Sequence, residues 1–278
     1  MAGHIGSLPL TYYGGKSAYF EWLIKNFPQN HSVYVECFGG SGAVALCKQA
    51  VDINIYSDIE PEVVNFYRVL KSEGGYKHLL GELENEDTNE PSVRLRFYEL
   101  RDMFVKQQFE TDADRAYAFL YLNVWGMNGV MAGQSGCAWA KGKQVRWLSR
   151  GRALDFAHKK LLRYSVEQAD AFGQIAKYDS PETFFYLDPP YIMETRKTKN
   201  KNTGYACELP EAKHEELVGM LLQIKGSVLL SGYDHPIYYP LEDAGWFKIL
   251  KNVDLCLPAG AVKRTEAIWR NYAKGLFE

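Results

Sequence analysis

The chain has 278 residues, 46% of them hydrophobic and 24% charged, and carries a formal net charge of −2 at pH 7. That is enough sequence for one large globular domain or a core with an inserted subdomain, and the composition excludes a disordered chain. The charge excludes a globally basic nucleic-acid binder, so any such activity must rest on a local patch.

Met1 to Pro9 lack a basic stretch followed by an apolar one, and no apolar run reaches the roughly eighteen residues of a membrane span. We therefore expect a cytoplasmic protein with no membrane partner. Gly14-Gly15-Lys16-Ser17 ends like a P-loop, but Leu10 stands where G-x-x-x-x-G-K-[ST] needs glycine and no strand precedes it. Val33 to Phe38 reads as a strand that breaks into Gly39-Gly40-Ser41-Gly42 and then a helix-like Ala43 to Lys48. Glycines there let a ligand approach the backbone, and the helix start offers N–H groups to an anion. Ile53 to Asp58 is a second strand ending in an acid suited to ribose hydroxyls. Gly40-Ser41-Gly42-Ala43-Val44-Ala45 with Asp58 also satisfies a dinucleotide fingerprint, which leaves an NAD-dependent oxidoreductase open at this point.

Between the second and third strands, apolar residues at Val93, Phe97, Leu100, Phe104 and then Ala116, Phe119 and Leu120 fall at helical spacing and read as core, with Arg94, Arg96 and Arg101 exposed. From Lys141 to Arg163 the chain carries Lys141, Lys143, Arg146, Arg150, Arg152, Lys159, Lys160 and Arg163 against the single acid Asp155, with Trp139 and Trp147 nearby. A second basic run holds Arg196, Lys197, Lys199 and Lys201. One such run alone is more often a solvated face; two bracketing one site read as phosphate contacts. The five cysteines (Cys37, Cys47, Cys137, Cys207, Cys256) are scattered without a C-x-x-C pair, and His214-Glu215-Glu216-Leu217-Val218 lacks the second histidine of H-E-x-x-H, so neither disulfides nor a metal are expected.

The most informative residues follow the apolar run Thr183 to Leu187: Asp188-Pro189-Pro190-Tyr191. A carboxylate at the carboxyl end of a parallel strand faces the crevice where open α/β sheets bind ligands, and the prolines fix a carbonyl beside it. Two acceptors next to the aromatic plane of Tyr191 suit a flat ring bearing an amino group, although the same four residues alone also read as a plain turn. Beyond them, Leu217, Met220, Leu221 and Ile224 form a helical stripe opened by Glu211, Glu215 and Glu216 and closed by Lys225-Gly226, and Val228 to Leu230 continues the βα alternation.

Assembled in this order, the motifs resemble the Dam-like (D12 class) adenine-N6 DNA methyltransferases over nearly the whole length. Tyr12-Tyr13-Gly14-Gly15-Lys16-Ser17 looks like the family's amino-terminal cofactor motif, and Phe38-Gly39-Gly40-Ser41-Gly42 matches F-x-G-x-G. Phe119 to Asn123 with Asn128-Gly129 is similar to its recognition segment, as are Leu229 to Tyr233 and Thr265 to Asn271 to its carboxyl-terminal motifs. Two features depart from it: Cys37 replaces the proline of E-P-F, and Val130 to Gly136 lacks the arginine-bearing pattern of GATC-specific members, which leaves the target sequence open.

The resemblance implies an α/β, Rossmann-like S-adenosylmethionine-dependent methyltransferase fold with a mostly parallel sheet. Residues 1–71 and 163–278 would form the catalytic domain, and 72–162 an inserted, mainly helical target-recognition subdomain. It implies S-adenosylmethionine as cofactor, with Tyr12, Lys16, Glu36, Phe38, Gly39, Gly40, Gly42, Asp58, Ile59, Asp170, Phe172 and Asp188 around it. Lys16 would reach its carboxylate, Asp58 its ribose, and Asp170 and Phe172 its adenine; Asp170 as a helix N-cap and Phe172 as core are the plain alternatives. Asp188, Pro189, Pro190 and Tyr191 would be catalytic, holding an extruded adenine. Asn123, Asn128, Lys141, Lys143, Arg146, Arg150, Arg196, Lys197, Lys199 and Lys201 would face DNA. The implied partners are double-stranded DNA and, in a restriction-modification setting, a cognate restriction endonuclease. An RNA amino-group methyltransferase and a catalytically lapsed DNA-binding module are the alternatives.

Overall fold

Four strands at the centre of the molecule are almost continuous buried runs. β4 (Thr183–Leu187) is buried at every position, and β1 (Val33–Glu36), β2 (Ile53–Asp58) and β5 (Ser227–Gly232) at all but the first. Strands of this kind are covered on both faces, the signature of a parallel sheet. The computed structural model describes residues 8–11, 16, 19–127, 136–192, 208–257 and 260–273, excepting the side chains of 254–257 and 260–264. Its sheet has seven strands in the order β3-β2-β1-β4-β5-β7-β6, with β3 (Ser165–Gln168), β6 (Phe247–Leu257) and β7 (Gly260–Arg270). The first five are parallel and β7 runs antiparallel to both β5 and β6. A mostly parallel Rossmann-like α/β sheet is what the sequence led us to expect.

Alternation along the strands divides the core. Tyr34, Tyr56, Phe184, Tyr186 and Leu229 face one apolar cluster, whereas Val35, Ile55, Phe185, Leu187, Val228 and Leu230 face the other. The second face is covered by α9 (Ala171–Tyr178), α10 (Glu211–Leu221) and α11 (Tyr239–Asp243), through Ile175, Leu217, Leu221 and Leu241. The expected stripe of α10 is present, with Leu217 and Leu221 buried; the turn beyond it is tied down by Asp179, whose Oδ1 accepts the Lys225 and Gly226 amides at 2.9 Å each.

The first face carries α1 (Phe20–Lys25), α2 (Ala43–Cys47) and α3 (Pro61–Lys71), and then five helices between α3 and β3: α4 (Glu73–Asn85), α5 (Glu90–Lys106), α6 (Asp112–Trp125), α7 (Lys141–Leu148) and α8 (Arg150–Leu161). Val93, Phe97, Leu100 and Phe104 are buried on α5, at the spacing read from sequence. α6 differs from its simple stripe, being buried at every residue from Ala116 to Trp125, because α3, α4, α5 and α7 all pack on it. Its start is capped by Thr111, which accepts the Asp114 amide at 3.1 Å. The inserted helices share one apolar cluster with the sheet, from Phe184 on β4 to Trp147 on α7.

Candidate active site

β1 and β4 lie side by side, with Glu36 opposite Tyr186, and the chain leaves them toward opposite halves of the sheet. Their carboxyl ends therefore bound the crevice where open α/β sheets bind ligands. After β1 the chain passes through Phe38 to Gly42. A side chain at Gly39 would place its Cβ 2.3 Å from the Tyr56 ring, and Gly42 sits at φ 65°, so both positions require glycine. The turn is stapled to the end of β2: Gly39 N–H donates to Ser57 O at 2.9 Å, Gly40 N–H to Asp58 Oδ2 at 2.8 Å, and the Tyr56 hydroxyl to Gly40 O at 2.7 Å. Asp58 Oδ1 also accepts the Glu60 amide at 2.9 Å. The N–H groups of Gly39 and Gly40 are thus spent inside the protein, and what these glycines provide is close approach to the backbone.

Beside the turn is a cleft of about 940 Å³ including its open mouth, lined by Glu36, Phe38, Gly39, Gly40, Asp58, Ile59, Glu60, Asp170, Phe172, Asp188 and Pro190 among others. An apolar wall with a few convergent polar groups is the usual lining of a small-molecule site. Asp170 is indeed an N-cap, accepting the Gly173 amide at 3.1 Å, and it lines the cleft as well. Phe172 lies at the wall with the Lys213 ammonium 4.8 Å from its ring centre. Glu36 is buried; the Tyr34 hydroxyl donates to it at 2.6 Å, and burial pushes its carboxyl up to about 8. Burial raises Asp58 too, opposed by the backbone amides it accepts.

At the far end stands Asp188, 18% exposed. The Lys16 ammonium sits 2.7 Å from its Oδ1 and donates to the Tyr191 hydroxyl at 2.5 Å. Tyr191 in turn donates to Glu266 Oε2 on β7 at 2.7 Å. Burial lifts the Asp188 carboxyl to about 6, against the pull of the Lys16 charge and with a push from Glu266. The Asp188 side chain lines the cleft and is partly exposed, while its Oδ1 is closed off and paired with the Lys16 ammonium.

Lys16 lines the cleft, as its expected role requires, and its ammonium is paired with Asp188, a partner the sequence did not indicate. Several expectations need correction. Tyr191 does not present an open face: it is 6% exposed and packs edge-on to Tyr233, with ring centres 4.4 Å apart. Asn123 and Arg150 are not on a DNA-facing surface. Asn123 is buried and exchanges two hydrogen bonds with the Thr11 backbone, at 2.7 and 2.8 Å. Arg150 is 4% exposed and donates to Leu8 O and Pro9 O, at 2.6 and 3.0 Å. Lys143 is partly buried and donates to Gly126 O. Lys141 and Arg146 are exposed on α7. Tyr12, Asn128, Arg196, Lys197, Lys199 and Lys201 lie outside the described residues. Glu60 and Glu266 were missed as site residues. The signal for Glu266 was a lone acid opening the apolar run Ala267-Ile268-Trp269, a costly place for a charge without a partner.

A parallel sheet with a glycine turn after its first strand and an acid-Pro-Pro-aromatic end on its fourth defines a Rossmann-like methyltransferase. The model of the D12 class N6 adenine-specific DNA methyltransferases matches residues 12–254. The chain belongs to that family, and its activity is adenine-specific DNA methylation. It is 25% identical to a DNA adenine methylase of Haemophilus influenzae, over 87% of this chain and 85% of that protein. It is 28% identical to a DNA adenine methylase of Vibrio cholerae, over 81% and 80%. It is 27% identical to a type II methyltransferase of Methanocaldococcus jannaschii, over 70% and 71%.

Proposed function

We propose that the enzyme takes its methyl group from S-adenosylmethionine and delivers it to the amino nitrogen of an adenine extruded from a specific DNA site. The observation that carries this reading is the position of Asp188, at the end of β4, lining the cleft and holding an N–H donor. The cleft fits the cofactor. Asp58 and Glu60, at the end of β2, would hold ribose hydroxyls, Asp170 and Phe172 would flank the adenine, and the Gly39–Gly42 turn would leave room for the aminoacyl part, all of them lining or bordering the cleft. When bound, S-adenosylmethionine supplies an electrophilic methyl on a sulfonium centre.

The protein's own contribution is alignment and polarisation. An adenine amino nitrogen is a poor nucleophile because its lone pair is delocalised into the ring. Asp188, accepting one of its hydrogens, draws the nitrogen toward pyramidal geometry, and the Pro189 carbonyl is the second acceptor in this reading. Pro190 shapes the wall beside them. The base must leave its stack to arrive there. For Tyr191 to lie against the base, its ring must first part from Tyr233. The inserted helices, residues 72–162, are assigned to target recognition, with the exposed Lys141 and Arg146 on phosphates.

The test is methylated-base mapping of double-stranded DNA incubated with the enzyme and S-adenosylmethionine. We expect N6-methyladenine at one sequence for the wild type. For D188A we expect none, with cofactor affinity by calorimetry kept within several-fold. Near-normal methylation by D188A would overturn the reading.

A further inference from the structure

The acceptor end of the site is already occupied by a part of the protein. Lys16, 3% exposed, pairs with Asp188 Oδ1 at 2.7 Å, an oxygen with no exposed surface of its own. A buried ion pair holds strongly against simple removal of one partner, because the other is then left desolvated and uncompensated. Displacing the ammonium therefore requires both a replacement donor for Asp188 and a second seat for the positive charge. The replacement donor is the base. The second seat is built: the same ammonium contacts the Tyr191 hydroxyl at 2.5 Å, and that hydroxyl donates at 2.7 Å to Glu266, itself 5% exposed. Lys16 thus has a carboxylate on one side and another one phenol away on the other.

We propose that Lys16 is a tethered stand-in for the acceptor amino group, and that Glu266 is a positioning residue whose charge, relayed by the Tyr191 phenol, holds the Lys16 ammonium once a base has displaced it from Asp188. This rests on the reading that Asp188 receives the amino group. It makes Lys16 a gate on base capture rather than a cofactor ligand. Neutralising Glu266 removes the second seat, leaving the ammonium on Asp188 and weakening base capture. Removing the ammonium abolishes the competition and, with it, any dependence on Glu266.

The test uses a duplex in which the adenine identified by methylation mapping keeps its 6-amino group and 2-aminopurine stands beside it, whose fluorescence rises when its neighbour leaves the stack, together with calorimetry of S-adenosylmethionine binding. At a pH above the acid limb of both proteins, K16M should bind S-adenosylmethionine within about threefold of wild type and raise the captured fraction, a tethered competitor being worth on the order of fivefold. E266Q should lower that fraction with cofactor affinity unchanged, and the loss should vanish in K16M/E266Q. Retained cofactor binding reports folding; should E266Q not fold, Y191F breaks the same relay and should behave alike. A cofactor affinity reduced more than about tenfold in K16M, a captured fraction left at the wild-type level in K16M, or an equal E266Q loss in both backgrounds would each overturn the proposal. Absence of any fluorescence change with wild type at a mapped, methylated adenine would instead overturn the acceptor reading of Asp188, and this inference with it.

Discussion

Asp188 accepts an amino hydrogen most strongly when ionised, and burial holds its carboxyl at about 6, above the ordinary aspartate range. Rates at low substrate report the free enzyme, so kcat/KM for DNA methylation should fall as the pH drops through about 6. The Lys16 charge opposes the effect of burial, so K16M should shift that acid limb to higher pH; a pH–rate series on both proteins checks this, and an unmoved limb would separate Lys16 from the ionisation. Glu36 makes a stability statement instead. Its folded-state value of about 8 exceeds the ordinary 4.5, so the folded chain holds the proton more tightly than the unfolded one. The stability it contributes is fully present below 4.5 and is lost as the pH rises through about 8. Lys48, lowered by burial to about 8, acts between that value and its ordinary 10.5 and does not mask the Glu36 window. Urea midpoints should therefore fall between about pH 5 and about pH 8 in the wild type and fall less in E36Q, which can still accept from Tyr34.

At the level of elements, the stretch before Lys16 is tied to the inserted helices. Arg150 on α8 grips Leu8 and Pro9, and Asn123 on α6 grips Thr11, so helices of the insert help fix where the amino-terminal segment lies. R150M should strand two carbonyls and cost roughly 1–3 kcal/mol for each that stays buried. Denaturant unfolding would show the loss, and a stability equal to wild type would deny the anchor. These two residues also show where sequence reading stops. A cation in a basic run or an asparagine in a recognition-like segment advertises charge or polarity, not direction. Arg150 turns inward because of carbonyls 141 and 142 positions away, which no local period reveals. The strand, glycine turn and α2 were legible because sterics at Gly39 and Gly42 and the buried run of β1 are written within a few neighbouring residues.

Across the whole molecule the same contrast holds between Asp188 and its partners. Its placement at a strand end followed from an apolar run meeting Pro-Pro, whereas Lys16 and Glu266, which lie 175 and 75 positions from Tyr191, meet it only because the tertiary fold brings the amino-terminal segment and β7 to the end of β4. The one-cluster core that joins the insert to the sheet was likewise not visible in a segment-by-segment reading. Overall charge leads to a further expectation. A chain of net charge −2 is not drawn to DNA as a whole, so its affinity must come from cations placed on the contact surface. Lys141 and Arg146 are exposed on α7, and Arg146 has no acid within its own helix. Each phosphate contact removed should flatten the dependence of log K on log salt by about one. K141Q/R146Q should thus lower the slope by about 2, weaken binding alike on mapped and unrelated duplexes, and leave the methylated sequence unchanged. Salt titrations on the two duplexes decide it: an unchanged slope removes α7 from the DNA surface, and a changed methylation map would mean that these side chains read bases.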